Sequence, residues 1–360
     1  MPDGMEPGIV DWGLALRLGR RLAGDGSSRL EEAKVREISR QALEMALAYT
    51  SLEPASPVPA VEVVSREEWI GSNLAEFAKL LSPAEERLAS ELRLPGPLGS
   101  VARKALSAAA GAEAGAFVGY GSKRVLGQYQ VSLRPDEGVP RMLLVGANLP
   151  EASGKLGVDA DAFLLWVLVH EQTHSIQFGS VPWLREHMAG MVSEFLDSAS
   201  SGLDVSALLG RARGLVTPDP RAGLRRILDG ELTRIFAGEK QGEVMDRLAA
   251  AMAVIEGYAE HVMDEASADV PELGVMRERM DARRARRAGG LADLLARVMG
   301  MGAKLRQYEL GKRWCDAVVA EAGIEGLDRV WESPESLPTL AELDDAQAWI
   351  TRVLTPSNVS

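Results

Sequence analysis

Two histidines and a glutamate stand at a spacing that can bind and use a metal ion. His170, Glu171 and His174 form the pattern H-E-x-x-H within the stretch FLLWVLVHEQTHSIQFG. On a helix, residues four apart lie on one face, so the imidazoles of His170 and His174 can share one ion. Glu171 is rotated by about 100° from His170 and can flank the ion without binding it. This arrangement is typical of a zinc site in which the glutamate acts as a general base toward water.

The apolar residues that precede this motif place it in the protein interior. Residues 163–169 are all apolar and lead directly into His170. Burying titratable side chains costs free energy unless they are paired or hydrogen-bonded. Two interpretations follow: the polar residues are satisfied groups of an ordinary core, or they form a metal site. The spacing of the two histidines favours the metal site.

A third metal ligand is predicted from a separate segment, because catalytic zinc sites usually have three protein ligands. In EVMDRLAAAMAVIEGYAEHVMDEAS, Glu256 lies on the same helical face as Met252 and Ala259. A carboxylate on an apolar face needs a cation or hydrogen bonds, which zinc would supply. Glu256 is therefore the predicted third ligand of one Zn²⁺ per chain. Glu260 is predicted to accept a hydrogen bond from a ligand imidazole, and His261 is the alternative ligand.

A helix-rich architecture with a small sheet is predicted to position these side chains. Apolar residues recur at helical spacing in 29–49 and 100–117, and helical patterns dominate 185–322. Segments 123–133 and 141–149 have the pattern of short strands separated by the turn residues RPDEGVP, which predicts an antiparallel pair. The predicted fold class is α+β, predominantly helical, with a small antiparallel sheet beside the helix that carries the H-E-x-x-H motif.

Several helix boundaries can also be predicted. Ser65, followed by Glu67 and Glu68, has the pattern of a helix N-cap with an acidic first turn. Asp159 and Asp161 suit the N-terminus of the motif helix. The segments VTPDPRAG and DVPELG are predicted to interrupt the helices that follow.

Composition and charge exclude several classes of protein. A hydrophobic content of 46% over 360 residues is sufficient for a sizeable core. The net charge of −12 argues against a nucleic-acid or anionic-membrane partner for the whole protein. Acidic residues interrupt the arginine-rich segment 277–287, which predicts a solvated helix face. The single cysteine, Cys315, allows no internal disulfide and is predicted to be a buried apolar residue.

The sequence also predicts a cytoplasmic location. The N-terminal segment has acidic residues and a broken apolar pattern where a signal peptide has a basic start and a continuous apolar core. No apolar run approaches the roughly 20 residues that span a bilayer. We therefore expect no membrane partner.

Motifs along most of the chain resemble one known family. The matching stretches include VDWGLALRLG, REEWIGSNLAEFAKLL, KRVLGQYQVSL, LLWVLVHEQTHSIQFGSVPWLREHM and VIEGYAEHVMD. They resemble the zincin-like family of actinobacterial proteins described as associated with biosynthesis of the deazaflavin coenzyme. The resemblance implies a zincin-like metallopeptidase fold and a single unit over 1–360, with a helical N-terminal part at 1–115 and the remaining elements at 116–360.

The resemblance also implies roles for individual residues. Carried onto this sequence, it implies His170 and His174 as ligands, Glu171 as catalytic base, and Glu256 as a ligand from the helix EGYAEHVMD. One departure concerns thermolysin-type enzymes, in which the third-ligand glutamate closely follows the motif. Here Glu256 lies much further along the chain.

The predicted function is zinc-dependent hydrolysis of an amide, with a peptide bond as the first choice. One of the segments 123–133 or 141–149 would provide a sheet edge along which an extended substrate lies. One alternative is a non-catalytic protein whose zinc site is closed by a fourth ligand, His261, or whose groove is blocked by residues 180–255. A second is a hydrolase of small metabolite amides. The sequence predicts no oligomeric state.

Other side chains could stabilise negative charge on a reacting carbonyl, as a tyrosine or arginine often does in metalloproteases. Core or helix-surface positions fit these residues equally well. The candidates are Tyr258, Arg306, Gln307 and Tyr308. His187 is predicted to be a structural histidine and not a ligand.

Overall fold

The computed structural model describes residues 8–24, 26, 30–91, 97–133, 138–200, 239–270, 273–286 and 307–355. Helices dominate the described residues, and three short strands form one sheet. The helices are α1 (Trp12–Ala23), α2 (Glu32–Tyr49), α3 (Arg66–Glu91), α4 (Pro97–Gly121), α5 (Asn148–Leu156), α6 (Ala160–Ser180), α7 (Leu184–Ser200), α8 (Glu239–Ala266), α9 (Leu273–Arg286), α10 (Gln307–Asp328), α11 (Leu340–Asp344) and α12 (Ala346–Val353). The strands are β1 (Val61–Val64), β2 (Gly127–Gln130) and β3 (Arg141–Val145). The predicted α+β, mainly helical fold class is confirmed.

The sheet is mixed, with the order β1-β3-β2. The predicted antiparallel pair is confirmed, since β2 pairs antiparallel with β3 and Tyr129 lies opposite Met142. The parallel strand β1 was not predicted, and Val63 pairs with Leu144 in that ladder. The sheet therefore contains the predicted antiparallel pair and one additional parallel strand. β1 is only four residues long and lies just after a proline-rich segment, so its short apolar–polar alternation over residues 61–63 is a weak strand signal.

The sheet separates two hydrophobic cores, and alternate side chains of β3 enter each of them, as expected for a strand buried on both faces. Met142 and Leu144 belong to the larger core, which includes residues of α2, α6, α8 and α10. Leu143 and Val145 belong to the smaller core, which includes residues of α1, α3 and α4. The small sheet therefore lies between the core that contains the motif helix α6 and the core of α1, α3 and α4.

Helix α6 is the central helix of the larger core. Its residues from Phe163 to Val169 are all at most 9% exposed, so the apolar run is buried on every side and not only on one face. Asp159 caps the helix, and one of its carboxylate oxygens accepts hydrogen bonds from the N–H groups of Asp161 and Ala162 at 3.0 and 2.9 Å. The predicted N-terminus of α6 is confirmed.

The predicted N-cap of α3 is also confirmed, and it is a reciprocal one. The backbone N–H of Ser65 donates to Glu68 at 2.7 Å, and the N–H of Glu68 donates to the Ser65 hydroxyl at 3.2 Å. The predicted break at DVPELG lies between α8 and α9, while the break at VTPDPRAG lies outside the described residues. In the part of the chain that the structure describes, no helix is both long enough and apolar enough to cross a bilayer.

Helices α8 and α10 pack with their backbones almost in contact. A Cβ atom added at Gly257 would lie 2.6 Å from the carbonyl oxygen of Gly311, and one added at Gly311 would lie 2.7 Å from the carbonyl carbon of Ala253. Such distances are shorter than any normal van der Waals contact, so only glycine fits at these two crossing points. Because Gly257 directly follows Glu256, this close packing also fixes where Glu256 lies.

Candidate metal centre

The two histidines of the motif converge on one point, as the helical spacing predicts. Their Nε2 atoms lie 3.1 Å apart. The rings are nearly perpendicular, with an interplanar angle of 87° and centroids 4.7 Å apart. His174 is buried and His170 is partly buried within α6.

Glu256 on α8 completes a group of three. Its carboxylate oxygens lie 3.6 Å from His170 Nε2 and 3.9 Å from His174 Nε2. Two ligands of a tetrahedral zinc, each 2.0–2.1 Å from the ion, are separated by about 3.3 Å. The observed separations of 3.1, 3.6 and 3.9 Å lie close to that value, and the largest exceeds it by about 0.6 Å. Among the described residues, these three side chains form the group of His, Cys, Asp or Glu residues that could hold a metal ion. Their ligand atoms all lie within 4.8 Å of one another.

Burial controls the charge of the two histidines. Burial lowers the pKa of His174 to about 4, the charge of His170 lowers it further, and Glu256 opposes the effect. His174 is therefore neutral near pH 7, and neutral imidazole is the form that binds metals. Burial also lowers the pKa of His170, but the hydrogen bond that its ring donates to Glu256 and the charges of Glu171, Glu256 and Glu260 outweigh this effect, and the net pKa is raised. The three carboxylates thus favour positive charge at this position, which is what a metal ion provides.

Glu171 lies beside the group without joining it. It is 7% exposed, and its Oε2 accepts a hydrogen bond from the backbone N–H of Tyr129 on β2 at 3.0 Å. Burial raises the pKa of Glu171 to about 7; His170 and the Tyr129 hydrogen bond oppose the rise, and Glu256 adds to it. A cation at the histidines would favour the ionised carboxylate.

A glycine on the same strand makes room for this carboxylate. A Cβ atom at Gly127 would lie 2.6 Å from the Glu171 Cγ and 2.8 Å from its Oε1. The side chain of Glu171 therefore packs directly against the backbone of the edge strand. This contact could not be predicted from the sequence, because Gly127 and Glu171 belong to elements that are distant along the chain.

The structure places His261 away from the three ligand candidates. Its Nε2 lies 2.8 Å from the Tyr49 hydroxyl, and its Nδ1 lies 2.7 Å from an Asp316 carboxylate oxygen. Lys312 also donates to Asp316, at 2.8 and 2.9 Å. Both ring nitrogens of His261 thus have protein partners. Glu260 acts on His170 through its charge, and its role as a hydrogen-bond acceptor for a ligand imidazole stays a prediction.

Of the candidates for stabilising a reacting carbonyl, Tyr258 lies in the described core. Tyr258 is fully buried, and its hydroxyl hydrogen-bonds with Asp328 at 2.6 Å and with Thr50 at 2.5 Å. Burial, followed by the charge of Asp328, raises its pKa well above the usual range. Tyr258 is therefore a buried residue of the core. Three further candidates lie outside the described residues, either entirely or in their side chains: Arg306, Gln307 and Tyr308.

Three other features of the sequence can be located, wholly or in part, among the described residues. His187 packs edge-on against Trp183, with ring centroids 5.7 Å apart. In the arginine-rich segment, Arg277 pairs with Asp264, and Arg279 donates to the backbone carbonyls of residues 156 and 157. The side chains of the remaining arginines of that segment lie outside the described residues: Arg283, Arg284, Arg286 and Arg287. Cys315 is buried, and burial raises the pKa of its thiol.

Comparison with known proteins identifies the family of this arrangement. A sequence profile of zincin-like metallopeptidases matches residues 10–350. The chain belongs to this family. Membership implies zinc binding, and the group formed by His170, His174 and Glu256 in this zincin-like metallopeptidase has suitable ligands.

A solved structure supports the same assignment of fold. The chain is similar to a crystal structure from Chloroflexus aurantiacus described as a candidate hydrolase with a novel fold. The two sequences are 26% identical, the TM-score is 0.70, and the similarity covers 96% of this chain and 99% of the other. No curated protein matches the chain. The zincin-like family and the neighbour described as a candidate hydrolase together support a hydrolase.

Proposed function

We propose that this zincin-like metallopeptidase binds one Zn²⁺ per chain and hydrolyses an amide bond, with the peptide bond of an extended substrate as the first choice. One observation carries the proposal. Two imidazole nitrogens and a carboxylate from a different helix meet beside a buried glutamate, and that glutamate lies against the edge of a sheet. The proposed ligands, the proposed base and the proposed substrate-binding edge thus lie close together.

His170, His174 and Glu256 are the proposed zinc ligands. When bound there, zinc would lower the pKa of water to near neutrality and polarise a substrate carbonyl. Glu171 acts as the general base through its Oε1, because its Oε2 is held by the N–H of Tyr129. The same oxygen then returns the proton to the leaving amine. The buried wall of residues 163–169 limits access of bulk water from the α6 side.

Strand β2 is the proposed substrate-binding edge. It is an outer strand of the sheet, and the N–H of Tyr129 points away from β3 toward Glu171. Alternate residues of an edge strand direct their backbone groups outward, so Gly127 shares the orientation of Tyr129. An extended peptide could form backbone hydrogen bonds there, next to the general base. This geometry favours a peptide over a small metabolite amide.

The alternatives differ in what they require of the site. A non-catalytic site closed by His261 would need that ring to leave Tyr49 and Asp316, with which it hydrogen-bonds. The association with deazaflavin coenzyme biosynthesis stays a prediction from the resemblance and identifies no substrate. The cytoplasmic location also stays a prediction.

Incubation with substrates tests the proposal directly. The protein, reconstituted with zinc, is incubated with a mixed-sequence peptide library and with a panel of small N-acyl amides, and products are followed by mass spectrometry. We expect cleavage of peptides that 1,10-phenanthroline abolishes, that its non-chelating 1,7 isomer leaves intact, and that added zinc restores. Cleavage of the small amides alone would favour the second candidate. Turnover that chelation leaves unchanged would contradict a zinc hydrolase.

Substituting Gly127 should misplace the general base without removing the metal. In Gly127→Ala, the new methyl group would overlap the Glu171 side chain and displace its carboxylate from the position it holds against β2. A displacement of about 1 Å can lower a catalytic rate on the order of 10²-fold. We expect such a loss in kcat with zinc content unchanged. Gly154→Ala is the matched control, since nothing lies within 4 Å of the Cβ position there; equal rates in the two variants would contradict the assigned position of Glu171.

A further inference from the structure

We propose that Gln177 is a positioning residue that sets the tautomer of His174 and ties this ligand to the helix that carries Glu256. The inference rests on the proposed zinc site and adds a residue that the H-E-x-x-H motif does not contain. Gln177 lies three residues after His174 on α6, which brings the two side chains onto neighbouring positions of one helix face.

The amide of Gln177 bridges two elements in the interior. The residue is fully buried. Its side-chain oxygen Oε1 lies 2.9 Å from His174 Nδ1, and its Nε2 lies 3.1 Å from the backbone carbonyl oxygen of Ile255 on α8. One side chain thus contacts a candidate ligand on one helix and the backbone of another.

The orientation of this amide follows from the chemistry of its neighbours. A backbone carbonyl only accepts hydrogen bonds, so the NH₂ group of Gln177 must face Ile255. Its carbonyl oxygen then faces His174 and can only accept, so the Nδ1 of His174 must carry the proton. The lone pair of the neutral ring is left on Nε2. That nitrogen is the one that faces His170 and Glu256.

The bridge also links the positions of the two helices that supply ligands. Ile255 directly precedes Glu256, so a hydrogen bond to its carbonyl constrains the backbone from which the third ligand projects. The other motif histidine, His170, has no such hydrogen bond: within the described ranges, its buried Nδ1 has no hydrogen-bond partner. Gln177 therefore orients the imidazole of His174 and helps to position the carboxylate of Glu256.

Two substitutions separate this role from simple packing. Gln177→Met keeps a similar length and volume and removes both hydrogen bonds. Gln177→Glu keeps an acceptor for the Nδ1 proton of His174 and removes the donor to Ile255. If Gln177 only filled space, Gln177→Met would leave the tautomer of His174 and the zinc affinity unchanged. If Gln177 positions His174, both should change.

The tautomer of His174 can be measured without any metal. The chain has four histidines, so a long-range ¹H–¹⁵N correlation spectrum of metal-free protein at neutral pH can be assigned with single His variants. We expect the Nδ1–H form in the wild type and in Gln177→Glu, and a shift toward the Nε2–H form in Gln177→Met. A wild-type ring with its proton on Nε2, or an unchanged ring in Gln177→Met, would overturn the inference. The wild-type spectrum keeps the test decisive if the methionine variant fails to fold.

Zinc affinity provides the second readout. Loss of such an outer hydrogen-bond partner typically weakens metal binding 10- to 100-fold, so we expect that loss in Gln177→Met in competition with a chromophoric chelator. Gln177→Glu should recover part of it. Wild-type affinity in Gln177→Met would contradict the inference. A wild type that binds no zinc would refute the proposed function. The tautomer measurement would still test whether Gln177 orients His174.

Discussion

Glu171→Gln is expected to lower kcat for amide hydrolysis by roughly 10²–10⁴-fold, the range in which general acid–base groups contribute. The amide that replaces the carboxylate has nearly the same shape, but it cannot take a proton from water. Zinc binding should persist, because Glu171 lies beside the three ligand candidates and is not one of them. The measurement is steady-state cleavage of a peptide found in the library screen, with zinc content determined on the same sample.

A matched control separates loss of the base from a general loss of charge. Glu44→Gln makes the same chemical change at an exposed position on α2, where the carboxylate pairs with Arg40. Exposed helix pairs of this kind contribute only about 0.3–0.5 kcal/mol, so this variant should keep the wild-type rate. If Glu171→Gln also kept that rate with its zinc intact, Glu171 would not be the general base.

Gly311→Ala is expected to lower the free energy of unfolding by roughly 3 kcal/mol, at the upper end of the range for overpacked cores. The new methyl group would overlap the backbone of Ala253, and a backbone cannot rotate aside as a flexible side chain can. Helices α8 and α10 would have to separate. Since α8 carries Glu256, zinc affinity should fall as well.

Urea denaturation of the metal-free protein measures this effect, and a second glycine provides the comparison. Gly190 lies inside α7 with nothing within 4 Å of its Cβ position, so Gly190→Ala should raise stability by up to about 1 kcal/mol through helix propensity. A Gly311→Ala protein as stable as the wild type would show that the two helices do not pack as closely as described.

The sequence predicted the parts of the site that depend on local spacing. His170 and His174 lie one helical turn apart, and that spacing alone places their Nε2 atoms together. Glu256 was predicted from its position on an apolar helix face, and the structure brings it to the two histidines. In both cases, the costly burial of a polar side chain was visible in the sequence pattern.

The parts that depend on distant contacts could not be predicted in this way. His261 was the alternative ligand, but Tyr49 and Asp316 come from other helices and bind both of its ring nitrogens. Strand β1 was missed because its pairing with β3 brings together segments that are far apart in the chain. The contact of Gly127 with Glu171 is equally non-local, whereas the buried position and helical spacing of Gln177 were a usable signal that the motif alone does not include.

The zinc content of the purified protein, measured by elemental mass spectrometry for wild type and Glu256→Ala side by side, tests the central claim most directly. We predict close to one zinc per wild-type chain and a sharply reduced content in the variant, because the variant keeps two imidazoles and loses the carboxylate that faces them. A wild type that holds no zinc after reconstitution would contradict the account. An undiminished zinc content in Glu256→Ala would instead show that the third ligand is another residue.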